Sequence, residues 1–246
     1  MRYFAELAYN GTRYSGWQMQ PNSLSVQEVI QNAFSTILGA AIEFVGCGRT
    51  DAGVHASQYF AHFDFEGTFP ASFLHRVNKL LPKDIVIYRV FEVTPNAHAR
   101  FDAYQRSYEY HITFIKDPFQ TQTAYLYPFT QKPDFDKMQE AANLLLTYSE
   151  FQPFCKSNHD AKTLQCELTR SEWIAINENK WVFHITSNRF LRGMVRLIVG
   201  MCLNVGLEKV SLEEVKEALE NQSLLKKSWS VPPEGLFLAE VKYSLF

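Results

Sequence analysis

The ten residues Gly46-Cys47-Gly48-Arg49-Thr50-Asp51-Ala52-Gly53-Val54-His55 divide the first part of the chain into a strand that arrives and a strand that leaves. Three glycines and an alanine leave little side-chain bulk, so the backbone can turn tightly and a large ligand can approach it. Phe44-Val45 precede the run as the end of a short strand, and Tyr59 to Phe65 alternate as the returning one. Working outward, Val26, Val29, Ile30, Ala33, Phe34, Ile37 and Leu38 recur at three and four, which predicts an amphipathic helix capped by Ser25 with Glu28 and stopped by Gly39. Arg2 to Tyr9 reads as a strand, Phe73 to Leu81 as a short helix and Ile85 to Val93 as a strand. The order strand-helix-strand-strand-helix-strand predicts an α+β fold of the ferredoxin-like, split βαβ kind with mainly antiparallel sheets.

The second half repeats that order. Arg106 to Ile115 is an aromatic, alternating strand, and Phe135 to Leu146 a helix. Cys166 to Ile176 and Trp181 to Ser187 form a hairpin about Asn177-Glu178-Asn179. Phe190 to Val205 is a helix, Leu236 to Tyr243 the last strand, and Tyr243 to Phe246 an exposed-looking final segment. A further helix, Ser211 to Glu220, carries its own Ser-x-x-Glu cap, and Phe151 to Lys162 lacks periodicity and reads as a loop. Two ferredoxin-like halves follow, 1–104 and 105–246, as a diverged internal duplication.

With 246 residues, 46% of them hydrophobic, the chain is long enough for a substantial core. A net charge of −2 predicts no general attraction to nucleic acid, so any such binding must come from a local basic surface. The four cysteines, Cys47, Cys155, Cys166 and Cys202, have neither metal-ligand spacing nor a disulfide pattern, which fits a reducing cytoplasm. No apolar run approaches the roughly 18 residues of a membrane span.

Within the opening run, Arg49 beside Asp51 favours the ionised carboxylate, suited to a nucleophile or general base. An Asx-type turn in which Asp51 only receives neighbouring donors is the competing reading. Helix Phe190 to Val205 has hardly any polar face, so Arg196 within it needs an anion, Asp51 being the natural candidate, or else must snorkel to the surface. Arg189, Arg192 and Arg196 follow helical spacing and would share a face, and Gly193 and Gly200 would admit another backbone. Arg106, Tyr108 and Tyr110 point to one side of their strand, where Tyr108 serves either as core or as a shelf for a base. His55 and His98 receive no proton-transfer role.

The run Gly48 to Ala56 resembles the signature loop of the TruA family of tRNA pseudouridine synthases. The resemblance continues through Tyr9-Asn10-Gly11-Thr12, Gly16 to Pro21, Val77-Asn78, Leu81-Pro82, His98-Ala99-Arg100-Phe101-Asp102-Ala103 and Arg106-Ser107-Tyr108-Glu109-Tyr110. It goes on through Phe190-Leu191, Met194-Val195-Arg196, Ile198-Val199-Gly200 and Pro233-Glu234-Gly235-Leu236. It implies the pseudouridine synthase fold with a catalytic cleft between the halves and an essential Asp51 paired with Arg196. Asp51 either attacks the sugar C1′ or removes the C2′ proton. Tyr108 would stack on the target uracil, and Arg49 would fill the space that a flipped base vacates. Arg49, His98, Arg100, Phe101, Arg106, Arg189 and Arg192 are the implied RNA contacts. The implied activity is isomerisation of uridines at positions 38, 39 and 40 in the tRNA anticodon stem-loop, by a cytoplasmic homodimer with no metal or other cofactor and no membrane association.

Departures from the family pattern bear on the substrate. Ser149-Glu150-Phe151-Gln152-Pro153-Phe154 stands where a His-Asp-Phe-x-x-Phe motif is usual, Asn10 where aspartate is common and Ala97 where phenylalanine is common. The same chemistry on a different RNA, or an RNA-binding protein without catalysis, are the alternatives.

Overall fold

The computed structural model describes residues 1–156 and 163–244. The chain condenses into two compact units, Met1–Tyr104 with Phe237–Phe246, and Gln105–Leu236.

In the first unit, β1 (Arg2–Tyr9) is flanked antiparallel by β4 (Ile85–Val93) and β3 (His55–Asp64), and the two-residue β2 (Val45–Gly46) pairs with β3. Helix α1 (Val26–Leu38) begins where Ser25 Oγ accepts the Glu28 N–H and ends at Gly39 in the left-handed region; α2 is Phe73–Leu80. The apolar face of α1 turns Phe34 edge-on to Phe44, Phe63 and Phe73, with ring centroids 4.8–5.3 Å apart. Truncating a ring in such a cluster costs about 3–5 kcal/mol. β9 (Leu236–Tyr243) runs parallel to β3, with His55 opposite Phe237 and Ala56 opposite Leu238.

Two side-chain bonds brace that pairing. Ser57 Oγ donates to Leu238 O (3.5 Å), and the Val241 N–H donates to Gln58 Oε1 (3.0 Å). Tyr243, expected in an exposed tail, is buried and donates its hydroxyl to Ala99 O. Of that segment, Leu245-Phe246 lies outside the described residues.

In the second unit, β5 (Ala103–Thr113), β8 (Lys180–Ser187) and β7 (Leu168–Asn177) form an antiparallel sheet, with β6 (Tyr125–Leu126) parallel to β5. Helix α3 (Phe135–Leu144) packs on it: Phe135 lies edge-on to Trp181 at 5.1 Å, and the Trp173 N–H donates to Gln139 Oε1 (2.8 Å). Helix α5 (Leu212–Glu220) has the expected reciprocal cap between Ser211 and Glu214. Helix α4 (Met194–Gly206) is buried along all its length except at Arg196 and Leu197, which are half-buried. At Gly200 a Cβ would sit 1.8 Å from Trp229 O, so another backbone does press on this helix there.

Four expectations are corrected here. The helix starts at Met194 rather than Phe190, because Gly193 takes φ 73° and breaks the helical path just before it. Arg189 and Arg192 therefore share no helical face with Arg196, and Gly193 lies outside the helix that holds Gly200. The segment expected as a loop folds at Gln152–Phe154 into a 3₁₀ turn that buries Phe151 and Phe154; Asn158-His159-Asp160 lies outside the described residues. Among the described residues no helix is long and apolar enough to cross a membrane.

Candidate active site

The loop from Gly46 to His55 is held mainly through its backbone. Cys47 N–H donates to Phe60 O (2.8 Å), Trp17 N–H to Thr50 O (3.3 Å), Gly53 N–H to Tyr14 O (3.3 Å) and Val54 N–H to Asp51 O (3.1 Å). Two close approaches, one from Gly16 outside the loop and one at Gly46 within it, require glycine. A Cβ at Gly16, which has φ 92°, would lie 2.2 Å from Thr50 O, and one at Gly46 would lie 2.0 Å from the Tyr59 hydroxyl. Beneath the loop, Trp17 stacks on Tyr59 at 4.1 Å, and the Tyr59 hydroxyl donates to Gly48 O. Buried Thr50 shares a hydrogen bond with the Tyr9 hydroxyl (2.8 Å). The loop thus rests on an aromatic floor, with Arg49 exposed and Asp51 half-buried on top of a fixed backbone.

His55 proves to be the first residue of β3, earlier than the alternation suggested, and it is wholly buried. Its Nδ1 accepts the Gly11 N–H (3.0 Å), so the neutral ring carries its proton on Nε2; the ring stacks on Phe237 at 4.5 Å. It ties the loop between Tyr9 and Thr12 to the end of the Asp51 loop.

His98, Arg100 and Phe101 come together in one turn, with Arg100 and Phe101 exposed and the guanidinium 5.7 Å from the Phe101 ring. His98 Nδ1 accepts the N–H groups of Arg100 (3.1 Å) and Phe101 (3.3 Å). Burial lowers the pKa of His98, the Arg2 and Arg100 charges adding to this against the pull of Asp102.

In the second unit, Tyr108 is half-buried on β5, edge-on to Phe190 at 5.0 Å. Two residues earlier, Arg106 donates to Asn188 O (3.3 Å), so the segment before α4 lies over this face of the strand. Arg189 is half-buried in that segment; Arg192 is exposed, and its carbonyl accepts the Lys156 N–H (3.1 Å). Arg196 Nε donates to Val231 O (2.6 Å), while the neighbouring Pro232 carbonyl accepts the Tyr110 hydroxyl (2.8 Å). Tyr110 is fully buried, and desolvation raises its pKa well above the ordinary phenol value. Glu109, on the opposite face, accepts from His111 (2.9 Å), and that bond lowers its pKa. Glu150, of the altered segment, is exposed, and its carbonyl accepts from Gln222 Nε2 (3.1 Å).

Sequence reasoning quoted Tyr9 and Trp17 only as part of the resemblance and assigned no supporting role to them, to Tyr59 or to His62. The available signal was several hydrogen-bonding aromatics close to one glycine-rich run.

Comparison with known proteins identifies the family of the chain. A family model described as tRNA pseudouridine synthase matches residues 141–244. The tRNA pseudouridine synthase A of Bacteroides fragilis is 48% identical over 245 residues, 98% of this chain and 96% of the relative. That of Porphyromonas gingivalis is 46% identical, covering 98% and 97%, and that of Bacteroides thetaiotaomicron 46%, covering 98% and 90%. With such identity along nearly its whole length, this chain belongs to the tRNA pseudouridine synthase A family.

Proposed function

We propose that this chain converts uridine to pseudouridine at positions 38, 39 and 40 of the tRNA anticodon stem-loop, with Asp51 as the essential group. The reaction breaks the N1–C1′ bond, turns the freed uracil and joins C5 to the same C1′. The C5 hydrogen passes to solvent as a proton, and N1 gains one. Asp51 acts either at C1′ or on the C2′ proton, Tyr108 stacks on the uracil and Arg196 supplies the cation that keeps the carboxylate ionised. Extruding the uridine costs a few kcal/mol, which Arg49 offsets by filling the vacated space. Arg100, Phe101, Arg106, Arg189 and Arg192 contact the RNA, with His98 beside them, and the chain works as a cytoplasmic homodimer. Each unit is taken as a diverged split-βαβ half, a reading supported in the first by the order β4-β1-β3 with β2 on β3.

The observation that carries this reading is the signature loop itself, in a chain that matches named tRNA pseudouridine synthases almost end to end, with Asp51 on a backbone tied down on both sides. Such a fixed backbone favours the positioning of a reactive group at a sugar carbon. The test is tritium release from tRNA labelled at uridine C5. Asp51→Asn is expected to abolish release while retaining RNA on a filter, and measurable turnover by that variant would refute the essential role. The altered segment 149–154 favours a second reading, the same chemistry on another uridine set. Site-specific mapping of pseudouridine on purified tRNAs separates the two.

A further inference from the structure

His62 lies in β3 opposite Phe4 of β1, is 4% exposed, and meets the turn that carries Arg100 and Phe101. Its Nδ1 accepts the Ala99 N–H (3.1 Å), so the neutral ring has its proton on Nε2. The other side of the same residue is held too, since Tyr243 donates its hydroxyl to Ala99 O. Arg2, paired through two 2.8 Å bonds with Asp64, donates to Ala97 O (3.0 Å). Within the turn, Asp102 Oδ2 accepts the His98 N–H (2.7 Å), and the Asp102 N–H donates to His98 O (3.1 Å). With His98 Nδ1 accepting from residues 100 and 101, the N–H groups from 98 to 102 all have partners. Ala99 is bonded by a side chain from the sheet below.

This over-determined turn presents two exposed groups. Phe101 is 73% exposed, its ring 4.2 Å from that of His98, and Arg100 lies over it. A large aromatic left in water, with a guanidinium beside it, has the chemistry that stacks on a base and meets its phosphate. We propose that His62 is a positioning residue for RNA binding: as a neutral acceptor it sets the turn from 97 to 102 so that Arg100 and Phe101 face the nucleic acid. This rests on the reading of Arg100 and Phe101 as RNA contacts. Without the acceptor, the Ala99 N–H would be buried unpaired, and the turn would relax toward solvent to hydrate it.

The experiment compares the full-length wild-type chain with His62→Gln, His62→Asn and the double variant Arg100→Ala/Phe101→Ala. The probe is a transcribed tRNA with uridines at positions 38 to 40. Filter binding reads Kd, and single turnover at saturating RNA reads the chemical step. Asparagine places an oxygen where Nδ1 stands, whereas glutamine reaches instead to the Nε2 position. His62→Gln is expected to raise Kd about tenfold with the saturated rate little changed, and His62→Asn to stay within about threefold of wild type. On the Arg100→Ala/Phe101→Ala background, His62→Gln should add no further loss. A Kd unmoved by Arg100→Ala/Phe101→Ala overturns the reading of the turn as an RNA contact. A weakened double variant beside an unaffected His62→Gln, or fully additive losses, overturns the role of His62 instead. Should His62→Gln fail to fold, amide hydrogen exchange of Ala99, Arg100 and Phe101 in the wild-type chain decides: slow exchange supports the proposal, and exchange at the free-peptide rate overturns it.

Discussion

Arg196 and Val231 exchange two hydrogen bonds: the arginine Nε donates to the valine carbonyl at 2.6 Å, and the valine N–H returns to the Arg196 carbonyl at 3.3 Å. The guanidinium is therefore anchored by its inner nitrogen to the segment between Trp229 and Pro233, which Tyr110 holds from β5. Its planar fork is oriented by a backbone contact that a lysine ammonium does not reproduce.

Arg196→Lys is accordingly expected to cost about 1–2 kcal/mol of stability from the lost carbonyl bond. It should also lower the single-turnover rate at least about tenfold if the fork serves Asp51. Urea unfolding and tritium release measure the two effects separately. Stability falling without any change in rate would confine the residue to a structural role.

Gly16→Ala should be far more damaging than Gly39→Ala, although both glycines have positive φ. At Gly39 nothing lies within 4 Å of the added Cβ, so the cost is that of the left-handed conformation, about 1 kcal/mol. At Gly16 the same strain is joined by a clash at 2.2 Å with Thr50 O, next to Asp51. We expect about 3 kcal/mol or more there, with loss of turnover. Denaturant midpoints of the two variants make the comparison.

Stability should fall as pH drops from about 6.5 to about 4. Burial, with Arg2 and His98 adding to it, lowers the His62 pKa to about 4, against the opposing pull of Asp64 and Asp102. Between those values the unfolded chain takes up a proton that the folded chain refuses, so stability rises with pH across the window. The full effect is on the order of 3 kcal/mol. Burial lowers His98 and His184 in the same direction. Glu109 acts at lower pH, its depressed carboxyl contributing stability that is lost as pH falls toward its folded value. Urea unfolding of wild type and His62→Asn at pH 7 and 4.5 tests this. The variant should show the smaller difference.

Thiol reagents should find no ready target in the native chain. All four cysteines are buried, and burial pushes Cys166 up to about 11 and Cys202 up to about 12. The thiolate is the reactive form, so titration at pH 8 should be slow until guanidinium unfolds the protein and then count four. A fast-reacting thiol in the native state would contradict the burial.

Elements whose signals are local were legible at residue level. β1, β4 and β9 begin and end where alternation begins and ends, and α1 and α5 start at Ser25 and Ser211 because a side-chain oxygen reaches an N–H three residues on. The start of α4 was not legible. Phe190 and Leu191 continue its apolar spacing, but the left-handed turn at Gly193 has no periodic signature. The site was half legible: the glycine-rich run announced itself, whereas the roles of Tyr9 and His62 depend on partners about 40 residues away, and Tyr59 also stacks on the distant Trp17.

By itself, the sequence determined the order and type of most elements and the residues capable of chemistry, because propensity, capping and side-chain spacing act over one or two turns of chain. Only the tertiary structure decided that β9 lies beside β3, that His55 and His62 each keep Nδ1 as an acceptor, and that Arg196 is tied to Val231. A buried polar atom must find a partner wherever the fold brings one, and that choice belongs to packing rather than to local sequence.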